Sequence, residues 1–446
     1  MARILQGKAE ALRASLWVWP VSAAFAAFLL TLVLLAVRPG PDTAWAVLLW
    51  PAGTDAASTL LQVVATATMT ATTLTFSITV VALQLASQQF SPRLLREFAR
   101  DAKIQSILAL LVSTFVVSLT GLRGMGPGAP TPVLVPALVM FMGLASAGAL
   151  VGFVGHMVRA VRVDSMMVAV HQETLATIRQ TYPSAEDHSK DPEKGLPEGG
   201  GTLLKSSRSG FVKVIRPDVL VQVAVERGIF LRLGIRPGDQ LVAGAPLGTF
   251  WHDKEAGQAD PESIEAELAR GVEIGFERTA EQDAAFGLRQ LTDIAVKAIS
   301  PGINDPITAA HAISFCADLM VTLQGRKLGP QQHVDAAGVP RVVTPDRDYR
   351  YYLDLLCGPL RRYGKSEPIV LTALLRMLRD FASNHKSNEQ LEEATRQVDL
   401  ILETMDPSLV PSDAYEVHAL AEKVRLAIRG NLEAAYHDRA GETRSA

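Results

Sequence analysis

The stretch Trp17–Val37, WVWPVSAAFAAFLLTLVLLAV, decides how the chain is read. It runs for about 21 residues without a charged side chain. As a helix it is long enough to cross a hydrocarbon core ~30 Å thick. A secretory signal carries a shorter apolar core, roughly 7–15 residues. The cleavage-like triplet AWA at Ala44 also lies well beyond the run. The reading is a retained membrane span.

Working outward from it, the chain shows three more such stretches. No charge occurs between Ala56 and Pro92, and a second span fits Leu60–Leu85. Ile104–Leu122 and Val133–Met157 supply a third and a fourth. Basic residues are spread unevenly around them. Arg3, Lys8 and Arg13 precede the first span; Arg93, Arg96, Arg100 and Lys103 separate the second from the third; Arg159 and Arg162 follow the fourth. The two remaining connections hold only Arg38 and Arg123 as basic residues. The positive-inside rule then expects both termini, and the whole C-terminal half, in the cytoplasm. His156 is the titratable residue near a span and is expected at the interface.

The 446 residues carry a formal net charge of −3, so no polyanion partner such as nucleic acid is implied. Two cysteines, Cys316 and Cys357, are too few for a disulfide framework. No Cys/His cluster with zinc spacing occurs, and no metal or cofactor is expected.

The second span is unusually polar. Thr59, Thr66, Thr70, Thr73, Ser77 and Gln84 recur at threes, fours and sevens, a stripe on one helical face. They are the pore-lining candidates. Thr68, Thr72, Thr75 and Thr79 repeat the spacing about 200° away, so the helix offers two polar faces. The competing reading is close packing, with hydroxyls bonded one turn back. After this span, Ser91 caps a candidate interfacial helix starting at Pro92.

The fourth span is expected to continue as helix to about Ile178, closing a membrane domain over 1–181. A Pro-, Gly- and Ser-rich linker follows over 182–208. Residues 209–252 read as a small β module: strands at Phe211–Ile215 and Ile229–Leu233, with a short helix from Pro217 to Arg227 between them. Its turn pattern PGDQLVAGAPL is similar to half of a biotinyl- or lipoyl-type barrel, without the lysine that would carry a cofactor. Residues 260–325 read as a helical pair, 326–348 as an irregular loop and 349–446 as a helical bundle. The expected fold is therefore an α-helical integral membrane protein of four transmembrane helices with a cytosolic α+β region, a small β module followed by a helical bundle.

The helical pair turns at SPGINDP, Ser300–Pro306. Pro301 stops the first helix, Gly302 permits the turn, Asp305 is a good cap and Pro306 suits a first helical position. That is a hinge. A functional reading adds Asn304 and Ser300 to a small polar pocket facing Asp293, with Asp305 and His311 as further members. Asp293, Asp305 and His311 match no strong metal motif.

The blocks FSITVVALQLASQQFSPRLLREF (76–98) and RTAEQDAAFGLRQLTDIAVKAISPGINDPITA (278–309) resemble the two hallmark blocks of the bacterial predicted membrane proteins grouped as domain of unknown function 2254. The resemblance covers nearly the whole chain. It implies an integral inner-membrane protein and supplies no activity or catalytic residues. No paired base and nucleophile appears, so an enzyme is not expected. Four spans are few for a monomeric transporter. A homo-oligomeric, channel-like protein embedded in the lipid bilayer, passing an ion or small ligand under a cytosolic regulatory region, is the leading expectation. The alternative is a membrane-anchored sensor or scaffold whose cytosolic half binds a ligand or protein.

Overall fold

The computed structural model of the chain describes residues 18–37, 48–89, 101–125, 131–160, 162–184, 197, 199–253 and 261–437. They form two compact units, dividing at Met166 and Met167.

The first unit is a bundle of four helices: α1 (Val18–Ala36), α2 (Thr54–Gln89), α3 (Ala102–Leu122) and α4 (Leu134–Ala160). All four are long and apolar enough to cross a membrane. Helix α3 is the central one and packs against the other three. The residues that meet fix the directions. Leu61, Val117, Val135 and Val139 form one apolar cluster, with Leu34 and Leu35 against it. Ala82, Ile104, Leu108, Phe153 and Met157 form another. The start of α2 therefore lies beside the end of α3, and the end of α2 beside its start, so the helices alternate up and down. Thr54 and Thr131 share a hydrogen bond of 2.7 Å at one end, and His156 Nε2 meets Asp101 Oδ2 at the other. Asp101 also caps α3 by accepting from Lys103 N at 2.8 Å. The interfacial helix expected from Ser91 lies outside the described residues. The fourth span does not run on unbroken: α4 ends at Ala160 and α5 (Val163–Thr181) begins after Arg162.

In the second unit the β module is larger than the 209–252 segment expected. Strands β1 (Thr202–Lys205), β5 (Pro246–His252), β3 (Ile229–Leu233), β8 (Pro340–Thr344) and β7 (Gln331–Val334) form a five-stranded sheet in that order. Among the described residues only β3 and β8 pair in parallel, Leu231 with Val342 and Arg232 with Val343. Strands β4 (Gln240–Leu241), β2 (Gly210–Ile215) and β6 (Val272–Gly275) form a second, antiparallel sheet. Segment 326–348, expected to be irregular, thus contributes a hairpin, and the expected linker contributes β1. The PGDQLVAGAPL pattern makes no hairpin of its own, because β4 and β5 join different sheets. Helix α6 (Pro217–Glu226), with proline at its first position, packs on β3, β7 and β8. Val212, Leu220, Val223, Ile229, Leu231, Phe250 and Val342 make one core together with Ile264 and Leu268 of α7 (Pro261–Leu268).

The helical part of this unit comprises α8 (Ala284–Ala298), α9 (Pro306–Gln324), α10 (Tyr349–Tyr363), α11 (Pro368–Ser383), α12 (Asn388–Thr404), α13 (Pro411–Ile428) and α14 (Leu432–Tyr436). Ala284, Leu288, Leu291, Ala295 and Ala298, spaced at threes and fours, are buried, and α8 packs against α9 and α10. Each fully buried leucine there contributes about 2 kcal/mol. Helix α9 meets the length and hydropathy of a membrane span, making five such helices among the described residues where the sequence led us to expect four. Helices α13 and α14 are separated at Gly430, whose φ is 81°.

Candidate functional site

The two polar stripes of α2 have different surroundings. Thr68, Thr75 and Thr79 are buried in the bundle and Thr72 is half-buried, while Thr59, Thr66, Thr70, Thr73, Ser77 and Gln84 are all exposed. The stripe picked out as pore-lining is thus the free face of the helix, with Val63, Met69, Phe76 and Val80 exposed near it. Its hydroxyls are committed to the backbone one turn earlier. Thr59 donates to Asp55 O at 2.8 Å, Thr66 to Gln62 O at 2.9 Å and Thr70 to Thr66 O at 2.9 Å. Thr73 donates to Met69 O at 3.1 Å and Ser77 to Thr73 O at 2.9 Å. A hydroxyl has one proton and two lone pairs. With the proton spent on the carbonyl four residues back, the stripe presents oxygen acceptors outward and carries no cationic side chain. On the buried face Thr75 Oγ1 has no hydrogen-bond partner.

The SPGINDP turn is closed by its own groups. Asp305 N donates to Ala298 O at 2.8 Å, and Asn304 N to Ser300 O at 2.9 Å. The Ser300 hydroxyl donates to Lys297 O at 2.6 Å. Asn304 takes a left-handed conformation, φ 51°. Asp305 caps α9 by accepting from Thr308 N at 3.1 Å and from the Thr308 hydroxyl at 2.6 Å. The Thr308 hydroxyl first, then its backbone N–H, hold the Asp305 carboxyl below the usual range, and nearby His311 acts in the same direction. The turn thus gathers Ser300, Asn304 and Asp305 but uses the Ser300 hydroxyl and the Asp305 carboxylate internally. Asp293 is half-buried on α8 and His311 is exposed on α9. No group of three His, Cys, Asp or Glu suited to a metal occurs among the described residues.

What the sequence reading missed is a buried ionic cluster in the second unit. Asp283, fully buried, receives Arg278 Nε at 2.6 Å and faces Arg347 Nη1 at 3.4 Å. Arg347, 3% exposed, also donates to Pro237 O at 2.8 Å and lies over the Tyr351 ring. Beside it the Tyr182 and Tyr352 hydroxyls share a 2.7 Å hydrogen bond, and Tyr182 reaches Asp346 Oδ1 at 3.4 Å. Burial, with Asp346 close by, pushes the Tyr182 phenol far up. The only sign in the sequence is that RPGD, RTAEQD and TPDRD each set Arg and Asp beside a turn.

A profile of the family described as Predicted membrane protein (DUF2254) matches residues 13–380. Uncharacterised proteins of Mycobacterium bovis and Mycobacterium tuberculosis are each 35% identical to the chain over 338 residues, 74% of this chain and 65% of theirs. The chain thus spans just under two thirds of the curated relatives it matches. No solved structure matches it.

Proposed function

Because the chain belongs to the DUF2254 family of predicted membrane proteins, we propose that it crosses the bacterial inner membrane four times and assembles with copies of itself around α2, forming a channel-like path for small cations. The observation that carries this reading is the exposed stripe of α2. Two polar faces would leave no reason to prefer a pore; here one face is taken up inside the bundle and the other is free. A stripe of oxygen acceptors without cationic groups suits the replacement of a cation's hydration shell. In this reading both termini are cytoplasmic. The alternating helices put Lys103 and Arg159 at the same end of the bundle, in line with the positive-inside rule.

Helix α9 is the rival fifth span. We assign it to the second unit's core, because Ala309, Ile313, Cys316, Leu319, Met320 and Leu323 are buried while His311, Ser314 and Asp318 occupy its exposed face. Asp318 also shares a 2.7 Å hydrogen bond with His171 there, a polar arrangement costly to offer to lipid.

Reconstitution in liposomes tests the proposal. The protein should pass potassium or sodium and exclude chloride. Each hydroxyl acceptor removed costs about 1 kcal/mol, so Thr70→Leu with Ser77→Leu should cut flux roughly tenfold or more, while Thr75→Val on the buried face leaves it unchanged. Assembled protein that is silent to cations overturns it.

A further inference from the structure

The second unit contains a cleft of about 350 Å³ that belongs neither to α2 nor to the SPGINDP turn. Its volume is that of a small-molecule pocket. Gln180 at the end of α5, Glu281 just before α8, Gln331 and His333 on β7, and Thr344 and Asp346 at the end of β8 contribute to its wall. The lining includes two carboxylates and no lysine or arginine. Two guanidiniums act on Asp346 from outside the lining: Arg347 is engaged with Asp283, Pro237 O and the Tyr351 ring, and Arg236 with Asp239. His333 Nε2 pairs with Thr344 Oγ1 at 3.0 Å, and burial lowers its pKa, so the imidazole adds no charge near neutrality.

We propose that this cleft binds a small organic cation, an amine or guanidinium compound, held between Glu281 and Asp346. Three features lead there. The wall is acidic and rich in amide and hydroxyl oxygens. The space is too large for a bare ion, and the described residues hold no metal-binding trio. Burial also raises the Asp346 carboxyl despite the nearby charges of Arg347 and Arg236.

Calorimetric titration of the full chain in detergent tests this, with putrescine as the cationic probe and 1,4-butanediol as its neutral counterpart. Putrescine should bind saturably and the diol should not. Glu281→Gln and Asp346→Asn should each weaken putrescine binding at least tenfold, and Glu416→Gln, at a remote exposed site, should not. Glu281 is exposed, so its variant keeps the fold and decides the matter if Asp346→Asn does not fold. Equal heats for amine and diol, or putrescine binding unchanged in Glu281→Gln, overturn the proposal. Neither outcome bears on ion flux through α2.

Discussion

Gly238 shows how tightly the buried charges are set. It lies in the RPGD turn at φ 88°, and a Cβ there would collide with Asp283 Oδ2. Only glycine serves both demands, a left-handed backbone and contact with a carboxylate. Gly287 does the same for helix packing, since a side chain would run into Thr174 Oγ1 on α5. Asp346 carries the clearest solution signature. Burial pushes its carboxyl up to about 6 in the folded chain, against roughly 3.9 unfolded. The folded state therefore holds the proton more tightly. The stabilisation is complete below about pH 4, declines as pH rises towards 6, and is gone above it. Melting temperatures measured from pH 4 to 7 should fall across that window, and Asp346→Asn should flatten the fall. An unchanged slope in the variant would assign the effect to another group.

At the scale of the element, α2 gives a prediction of unusual sign. Thr75 Oγ1 is buried without a partner. Thr75→Val keeps the shape and removes the stranded hydroxyl, so the bundle should gain about 1 kcal/mol. A higher melting temperature of the detergent-solubilised protein checks this. The two threonine stripes were legible from spacing alone. Which one faces inward was not, because that depends on where α3 and α4 pack, and no local pattern in α2 records it. The α8–α9 turn was legible to the residue, since the Asp305 side chain and the Pro306 ring act on backbone within three residues of themselves. The β7–β8 hairpin was hidden for the opposite reason. β8 becomes a strand by pairing with β3, roughly 110 residues earlier in the chain. The ionic cluster was hidden likewise, its members meeting only after the β3–β4 turn, the start of α8 and the end of β8 are in place.

For the whole molecule, the number of spans turns on α9. The second unit has its own core, from the sheets through α13. A fragment from Met167 to His437 is therefore expected to be soluble without detergent and to melt cooperatively. A fragment that needs detergent to stay dispersed would make α9 a fifth crossing and reverse the predicted side of the C-terminus. The parallel β3–β8 pairing also has a consequence during synthesis. Until the ribosome has released residues near Val342, β3 has an unsatisfied edge of amides and carbonyls, open to a neighbouring nascent chain. Premature termination anywhere between β3 and β8 should therefore yield products that aggregate rather than shortened working proteins.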